Sequence, residues 1–134
     1  MAKRRVKLDV RIPRYPTEKG LGSGKPGMVW RREVHTAIEA AARRKGIKKY
    51  AGIDLECDVV LFMTNRQLAF QDVDNLLKHI FDALQGRLGG PKGVKAPAAV
   101  LPNDYQIRRV CVEKFEATSR KQISRLIIRD YAKR

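Results

Sequence analysis

The sequence QDVDNLLKHIFDALQG, which spans residues 71–86, contains the clearest helical pattern of the chain. Its apolar residues recur three and four positions apart, which places them on one face of an amphipathic helix. The spacing predicts a helix from Val73 to Gln85, and Gly86 ends it. The apolar stripe consists of Val73, Leu76, Leu77, Ile80, Phe81 and Leu84.

The segments around this helix predict a small α+β domain. Three of them alternate apolar and polar residues with the period of a β-strand, and one more has helical spacing. The alternation slips at Arg108–Arg109, which predicts a bulge, and residues 123–131 suit either a strand or a helix. We therefore expect one domain, residues 1–134, with a mixed β-sheet packed against two main helices, in the order β-α-β-α-β plus a C-terminal strand or helix. The strands are expected at 6–12, 53–63 and 105–115, and the other helix at 29–45.

The charge of the chain is its most unusual bulk property. It has 29 Lys and Arg against 14 Asp and Glu, a net charge of +15, so it should attract a polyanion. Nucleic acid is the leading candidate. A membrane is not expected as a partner, because the basic residues are spread along the chain and no apolar run approaches the ~20 residues of a membrane span.

The cysteine content and the N-terminus predict a cytoplasmic protein. No apolar segment follows the basic residues at the N-terminus, so no secretory signal is expected. Cys57 and Cys111 lie in strand-like runs and are expected to be buried thiols in a reducing compartment. Two cysteines and two distant histidines do not make a zinc site.

Two loops rich in glycine, proline and lysine interrupt the regular pattern, at 13–28 and 86–101. Long loops in small domains are usually functional or disordered. Because both loops are basic, we expect them to contact the phosphates of DNA. The residues proposed for these contacts are Arg14, Lys19, Lys25, Lys92 and Lys95.

A small acidic cluster stands out against this basic background. Asp72 and Asp74 lie where the helix begins, and Lys78 lies one turn beyond Asp74. Carboxylates that hold a divalent cation in a basic protein suggest phosphodiester chemistry on nucleic acid. A purely structural interpretation is also open: Asp72 suits an N-cap, and Asp74 suits the helix dipole and a surface pair with Lys78.

The same residues carry a resemblance to a known family. The strings DVDNLLK (72–78), FDAL (81–84) and NDYQI (103–107) resemble the pattern D-x-D-N-x-x-K, F-D-A-L and D-D-x-Q-[VI] of the RusA family of Holliday junction resolvases. The resemblance implies a homodimeric endodeoxyribonuclease that acts on branched DNA, of a kind common in phage genomes. It also implies that Asp72, Asp74 and Asp104 bind Mg²⁺ or Mn²⁺ and that Lys78 is essential for cleavage. The chain departs from the pattern at Asn103 and in its longer loop before Asp104.

Other residues near the cluster have weaker claims. Asn75 is expected to support the site or a dimer contact, His79 to lie at the surface, and Asp82 to form an ion pair with Lys78. Trp30 and Tyr15 suit stacking on unpaired bases, although a core role fits Trp30 better. Two other functions stay open: a non-catalytic nucleic-acid-binding protein, and a nuclease that acts on flaps or forks.

Overall fold

A computed structural model of the chain describes residues 6–16, 26–47, 53–88 and 106–131. These residues form an α+β domain, as the sequence predicts. The four strands form one mixed sheet in the order β1-β4-β2-β3. The elements in chain order are β1 (Val6–Arg11), α1 (Pro26–Lys45), β2 (Leu55–Met63), α2 (Asn65–Phe70), α3 (Val73–Leu84), β3 (Ile107–Glu116) and β4 (Arg125–Asp130).

The pairing of the sheet explains why its last strand was ambiguous from sequence. β4 lies between β1 and β2 and pairs with both in antiparallel fashion, so residues 123–131 contain a strand and not a helix. Both partner strands of β4 lie far from it in the chain, so the local sequence does not show that this segment pairs on both sides. β2 and β3 are parallel, and their register shifts where Leu55 pairs with Ile107 and Glu56 pairs with Arg109, which confirms the predicted bulge.

One face of the sheet carries the hydrophobic core. Alternate residues of β2, from Leu55 to Met63, are buried there together with Leu126 and Ile128 of β4. The apolar sides of α1 and α3 cover this face, including Trp30, Val34 and Ile38 from α1 and Leu76, Ile80 and Leu84 from α3. Burial of these large side chains is the main stabilising term of the fold.

The opposite face of the sheet, here called the open face, is not covered by a described helix. Phe62 and Phe115 stack on it with ring centroids 5.6 Å apart. Cross-strand ion pairs join Glu56 to Arg109 and Asp58 to Arg129. Glu56 is only 2% exposed, and its carboxylate oxygen lies 3.2 Å from Arg109.

The two cysteines differ, and this corrects one prediction. Cys57 faces the core as expected, and burial, followed by the negative charges of Asp58 and Glu56, raises the pKa of its thiol to about 12. Cys111 is exposed, because its side chain points to the open face of the edge strand β3.

The start of one helix and the presence of another differ from the predictions. Helix α1 begins at Pro26, so residues 26–28 belong to the helix and not to the predicted loop 13–28; proline fits the first helical position, where no amide donor is needed. Helix α2 was not predicted, because its six residues contain no apolar stripe and none of them is buried. Within the described residues, no helix is both long and apolar enough to span a membrane.

Candidate functional site

The candidate site is built on the connection between α2 and α3. Gln71 and Asp72 are both extended (φ −102°, ψ 112° and φ −74°, ψ 142°), so the chain passes from one helix to the next through two non-helical residues. Asp72 occupies the N-cap position of α3, but its carboxylate forms no capping hydrogen bond. An N-cap role therefore does not explain this side chain.

Asp74 and Lys78 are also without the partners that the structural interpretation gives them. Both side chains are exposed on the first turns of α3. Among the described residues, Asp74 forms no ion pair with Lys78 or with any other cation. The structure thus presents two carboxylates and a lysine at the N-cap and on the first turns of α3, each exposed to solvent.

The prediction for Asp82 is wrong. Its carboxylate lies 3.1 Å from the guanidinium of Arg31 in α1, so it joins the two helices and does not form a pair with Lys78. Both side chains are mostly buried. Arg31, on the neighbouring helix α1, pairs with Asp82 in place of Lys78, which the i, i+4 spacing within α3 had suggested.

The prediction of a surface histidine at position 79 is also wrong. His79 is buried, and its Nδ1 accepts a hydrogen bond of 3.0 Å from Nε of Arg31. Burial, and then the charge of Arg31, lower the pKa of His79. An acceptor role at Nδ1 places the proton of the neutral imidazole on Nε2. His79 therefore supports the packing of α3 on α1, behind the exposed acidic residues.

Aromatic packing completes this support. Trp30 is 1% exposed and donates from Nε1 to the carbonyl oxygen of Pro13 at 2.8 Å, so the core role holds. Its ring packs against Tyr15 and against the edge of His79. Gly27 lies so close to His79 that an added Cβ would come within 2.5 Å of Nε2.

Two residues at the site were missed by sequence reasoning. Phe70 is 73% exposed and lies two positions before Asp72, and an exposed aromatic ring is able to stack on an unpaired base. Lys114 of β3 donates to the carbonyl oxygens of Leu68 and Gln71, directly before Asp72. The sequence signal that could have found Phe70 is its position next to the acidic residues. No local sequence signal points to Lys114, because its contacts are with residues far away in the chain.

The remaining predicted site residues are placed only in part. Arg14 is exposed, and its guanidinium donates to the carbonyl oxygens of Ser119 and Gln122, so it holds a turn, and its DNA contact stays a prediction. Asn75 is exposed beside Asp74. The other predicted residues lie outside the described part of the chain: Asp104, Lys19, Lys25, Lys92 and Lys95.

The donor set of the site suits a hard cation. Mg²⁺ binds through one or two carboxylates and keeps several waters and substrate oxygens, and Asp72 and Asp74 are two such carboxylates without other described partners. No group of three acidic, histidine or cysteine side chains that would hold a metal is present within residues 6–16, 26–47, 53–88 and 106–131. The expected third ligand, Asp104, is not among them.

Comparison with known proteins adds nothing to this geometry. No protein-family model and no curated protein sequence matches the chain.

Proposed function

We propose that this protein is a metal-dependent endodeoxyribonuclease that resolves four-way DNA junctions by paired nicks. The observation that carries the proposal is the pair of exposed carboxylates at the start of α3, which have no cation partner among the described residues, in a chain of net charge +15. Carboxylates without a described partner are what a site for a divalent cation requires, and the resemblance to the RusA family points to the same residues.

The residues divide the proposed chemistry among them. Asp72 and Asp74, with Asp104 by resemblance, would bind Mg²⁺ or Mn²⁺. The bound ion would polarise the scissile phosphate and lower the pKa of a water molecule. Lys78 lies one turn from Asp74 and has no described partner, so its ammonium group is free to stabilise the charge that develops on the phosphoryl oxygens.

The rest of the molecule would bind the backbone of DNA. Phosphate contacts from basic side chains give affinity without reading sequence. This role falls to the basic segments 13–25 and 86–101, which flank α1 and α3 in the chain. It suits a substrate that is recognised by its branched shape.

A homodimer is the second part of the proposal. A four-way junction has two-fold symmetry and needs two nicks, whereas each chain supplies one candidate site. The open face offers a surface for the second copy: Phe62 and Phe115 are apolar, Arg11 lies on β1, and Glu113 lies on β3. Two-fold packing of this face about an axis parallel to the strands would place β1 of one protomer opposite β3 of the other, so Arg11 and Glu113, which have no partner among the described residues, would meet.

The decisive experiment uses a labelled synthetic four-way junction, with and without Mg²⁺. Paired symmetric nicks that require Mg²⁺ are expected. Cleavage of flaps or forks in preference to the junction would move the proposal to a different substrate, and tight binding without cleavage at any Mg²⁺ or Mn²⁺ concentration would favour a non-catalytic binding protein.

The dimer has its own test. Light scattering at micromolar concentration should give about twice the chain mass of 15.3 kDa. Alkylation of Cys111, which is exposed on the open face of one chain, should slow as the protein concentration rises. A strict monomer, both free and on junction DNA, would contradict this part of the proposal.

A further inference from the structure

Lys114 is an unexpected residue for its position in the sheet. It pairs with Leu61 of β2, and the side chains of this register point to the face that the helices cover. A lysine there is tolerated only if its ammonium group finds acceptors, because an unpaired buried charge is costly. Its Nζ lies 2.6 Å from the carbonyl oxygen of Gln71 and 3.2 Å from that of Leu68.

The two acceptors belong to the part of the chain that leads into the candidate site. The last carbonyl groups of a helix lack partners within the helix, and a lysine at this end satisfies them and matches the helix dipole. Leu68 lies in the last turn of α2, and Gln71 is its C-cap. The ammonium group therefore joins the end of α2 to β3 at the residue immediately before Asp72.

Helix α2 is held by few contacts, of which one is the partly buried Leu68 side chain against the core. It has six residues and no buried side chain, and a helix of this length is not stable by itself. Its first turn is fixed by the reciprocal capping bonds of Thr64 and Gln67, and the Gln67 side chain also donates to the carbonyl oxygen of Tyr15. Lys114 provides the corresponding contact at the other end of α2.

We propose that Lys114 is a positioning residue for the metal site. By holding the carbonyl oxygens of Leu68 and Gln71, its ammonium group fixes where α3 begins and hence the directions of the Asp72 and Asp74 carboxylates. Lys114 itself touches neither the metal nor the DNA in this proposal. The inference rests on the proposed function, because it concerns the same two carboxylates.

The test compares three variants by Mn²⁺ binding and by junction cleavage. K114M keeps the length of the side chain and removes the donors, and K114R keeps the donors. K45M is the matched control: Lys45 also donates to one carbonyl oxygen, that of Lys7, and loses the same charge far along α1. Mn²⁺ binding is measured by calorimetry without DNA, at a temperature well below the melting temperature of each variant.

K114M should bind Mn²⁺ about 10-fold more weakly, the lower end of the effect of residues that orient metal ligands. Its cleavage rate should fall at low Mn²⁺ and recover at high Mn²⁺, while its KM for the junction matches that of K45M. K114R should stay within about 3-fold of the unchanged protein. If K114M does not fold, K114Q, which keeps one donor group, replaces it and should show a loss of the same direction.

The outcomes separate the two proposals. If the unchanged protein binds no Mn²⁺, or D74N binds it equally well, the proposed function fails. If the unchanged protein binds Mn²⁺ and K114M binds it equally well, with only a lower melting temperature, Lys114 is a stabilising residue and the positioning role is overturned. K114R as weak as K114M would also overturn it, because the donors would then be irrelevant.

Discussion

Acidic side chains behave differently on the sheet and at the start of α3. On the open face, Glu56 and Asp58 each meet an arginine of a neighbouring strand. At the start of α3, Asp72 and Asp74 meet no described cation, although Lys78 is one turn away. In a chain with twice as many basic as acidic residues, pairing is the expected state of a carboxylate. Lack of a described cation is not enough to mark a site, because three other acidic residues share it: Glu33, Glu113 and Glu116. Asp72 and Asp74 differ from these in lying two residues apart at the start of one helix, one turn before Lys78, where both are placed to share a ligand.

The strongest test of the difference between these acidic side chains removes the charge of Asp74. D74N should reduce junction cleavage by about 1000-fold or more, since the loss of a metal ligand removes several kcal/mol of transition-state stabilisation. Junction binding should stay equal or become tighter, because a charge that repels phosphate is gone. Cleavage is measured under single-turnover conditions and binding by gel shift, and full cleavage by D74N at ordinary Mg²⁺ would refute the site.

Lys78 should matter for the rate of cleavage and not for the affinity for the junction. K78A is expected to lower single-turnover cleavage about 100- to 1000-fold, the range seen when one group that stabilises transition-state charge is lost. Its junction affinity should change little. Arg66, exposed on α2, provides a control of equal charge through R66A. Equal losses of rate and affinity in K78A would make Lys78 an ordinary phosphate contact.

A paired carboxylate should show the opposite behaviour. E56Q is expected to lower the free energy of unfolding by about 1–3 kcal/mol, because a buried charge-assisted hydrogen bond to Arg109 is lost. Its Mn²⁺ affinity should not change. Urea denaturation and calorimetry measure the two quantities, and a large loss of Mn²⁺ affinity without a loss of stability would reverse the assignment of the two acidic groups.

The smallest expected effect concerns His79, which shares Arg31 with Asp82 at the contact between α3 and α1. Because the folded protein lowers the pKa of His79 below its unfolded value of about 6.5, the unfolded state binds more protons below that pH. The stability of the neutral, buried form is therefore present above about pH 6.5 and is lost as the pH falls toward the folded pKa. Melting temperatures from pH 8 to pH 5 should fall more steeply for the unchanged protein than for H79Q. Parallel curves would show that His79 does not titrate on unfolding.

Sequence patterns predicted the parts of the fold that are determined locally. The alternation of β1 and the apolar stripe of α3 are visible within single segments, and the bulge at Arg108 and Arg109 was visible as a slip in alternation. Helix α2 was missed because its evidence is a capping box, Thr64 with Gln67, without a buried side. The strand at β4 was undecided because its two neighbours lie far away in the chain.

The site was predictable only where neighbours in sequence sufficed. Asp72, Asp74 and Lys78 lie on one short segment, so their proximity follows from helix geometry. His79 and Asp82 were misjudged because the deciding partner, Arg31, belongs to another helix. Lys114 was missed for the same reason, since it reaches its acceptors across 43 and 46 residues.

The parallel pairing of β2 with β3 has a consequence for the newly made protein. The chain between these strands, from Thr64 to Gln106, carries every proposed catalytic residue, and β3 adds a contact at the end of α2 to the packing of α3 on α1. During synthesis, β3 and Lys114 emerge after α2 and α3. A ribosome-bound fragment that ends before β3 would already contain Asp72, Asp74 and Lys78 but not the strand that fixes them. The proposed positioning of these carboxylates by Lys114 is therefore complete only after β3 has been made.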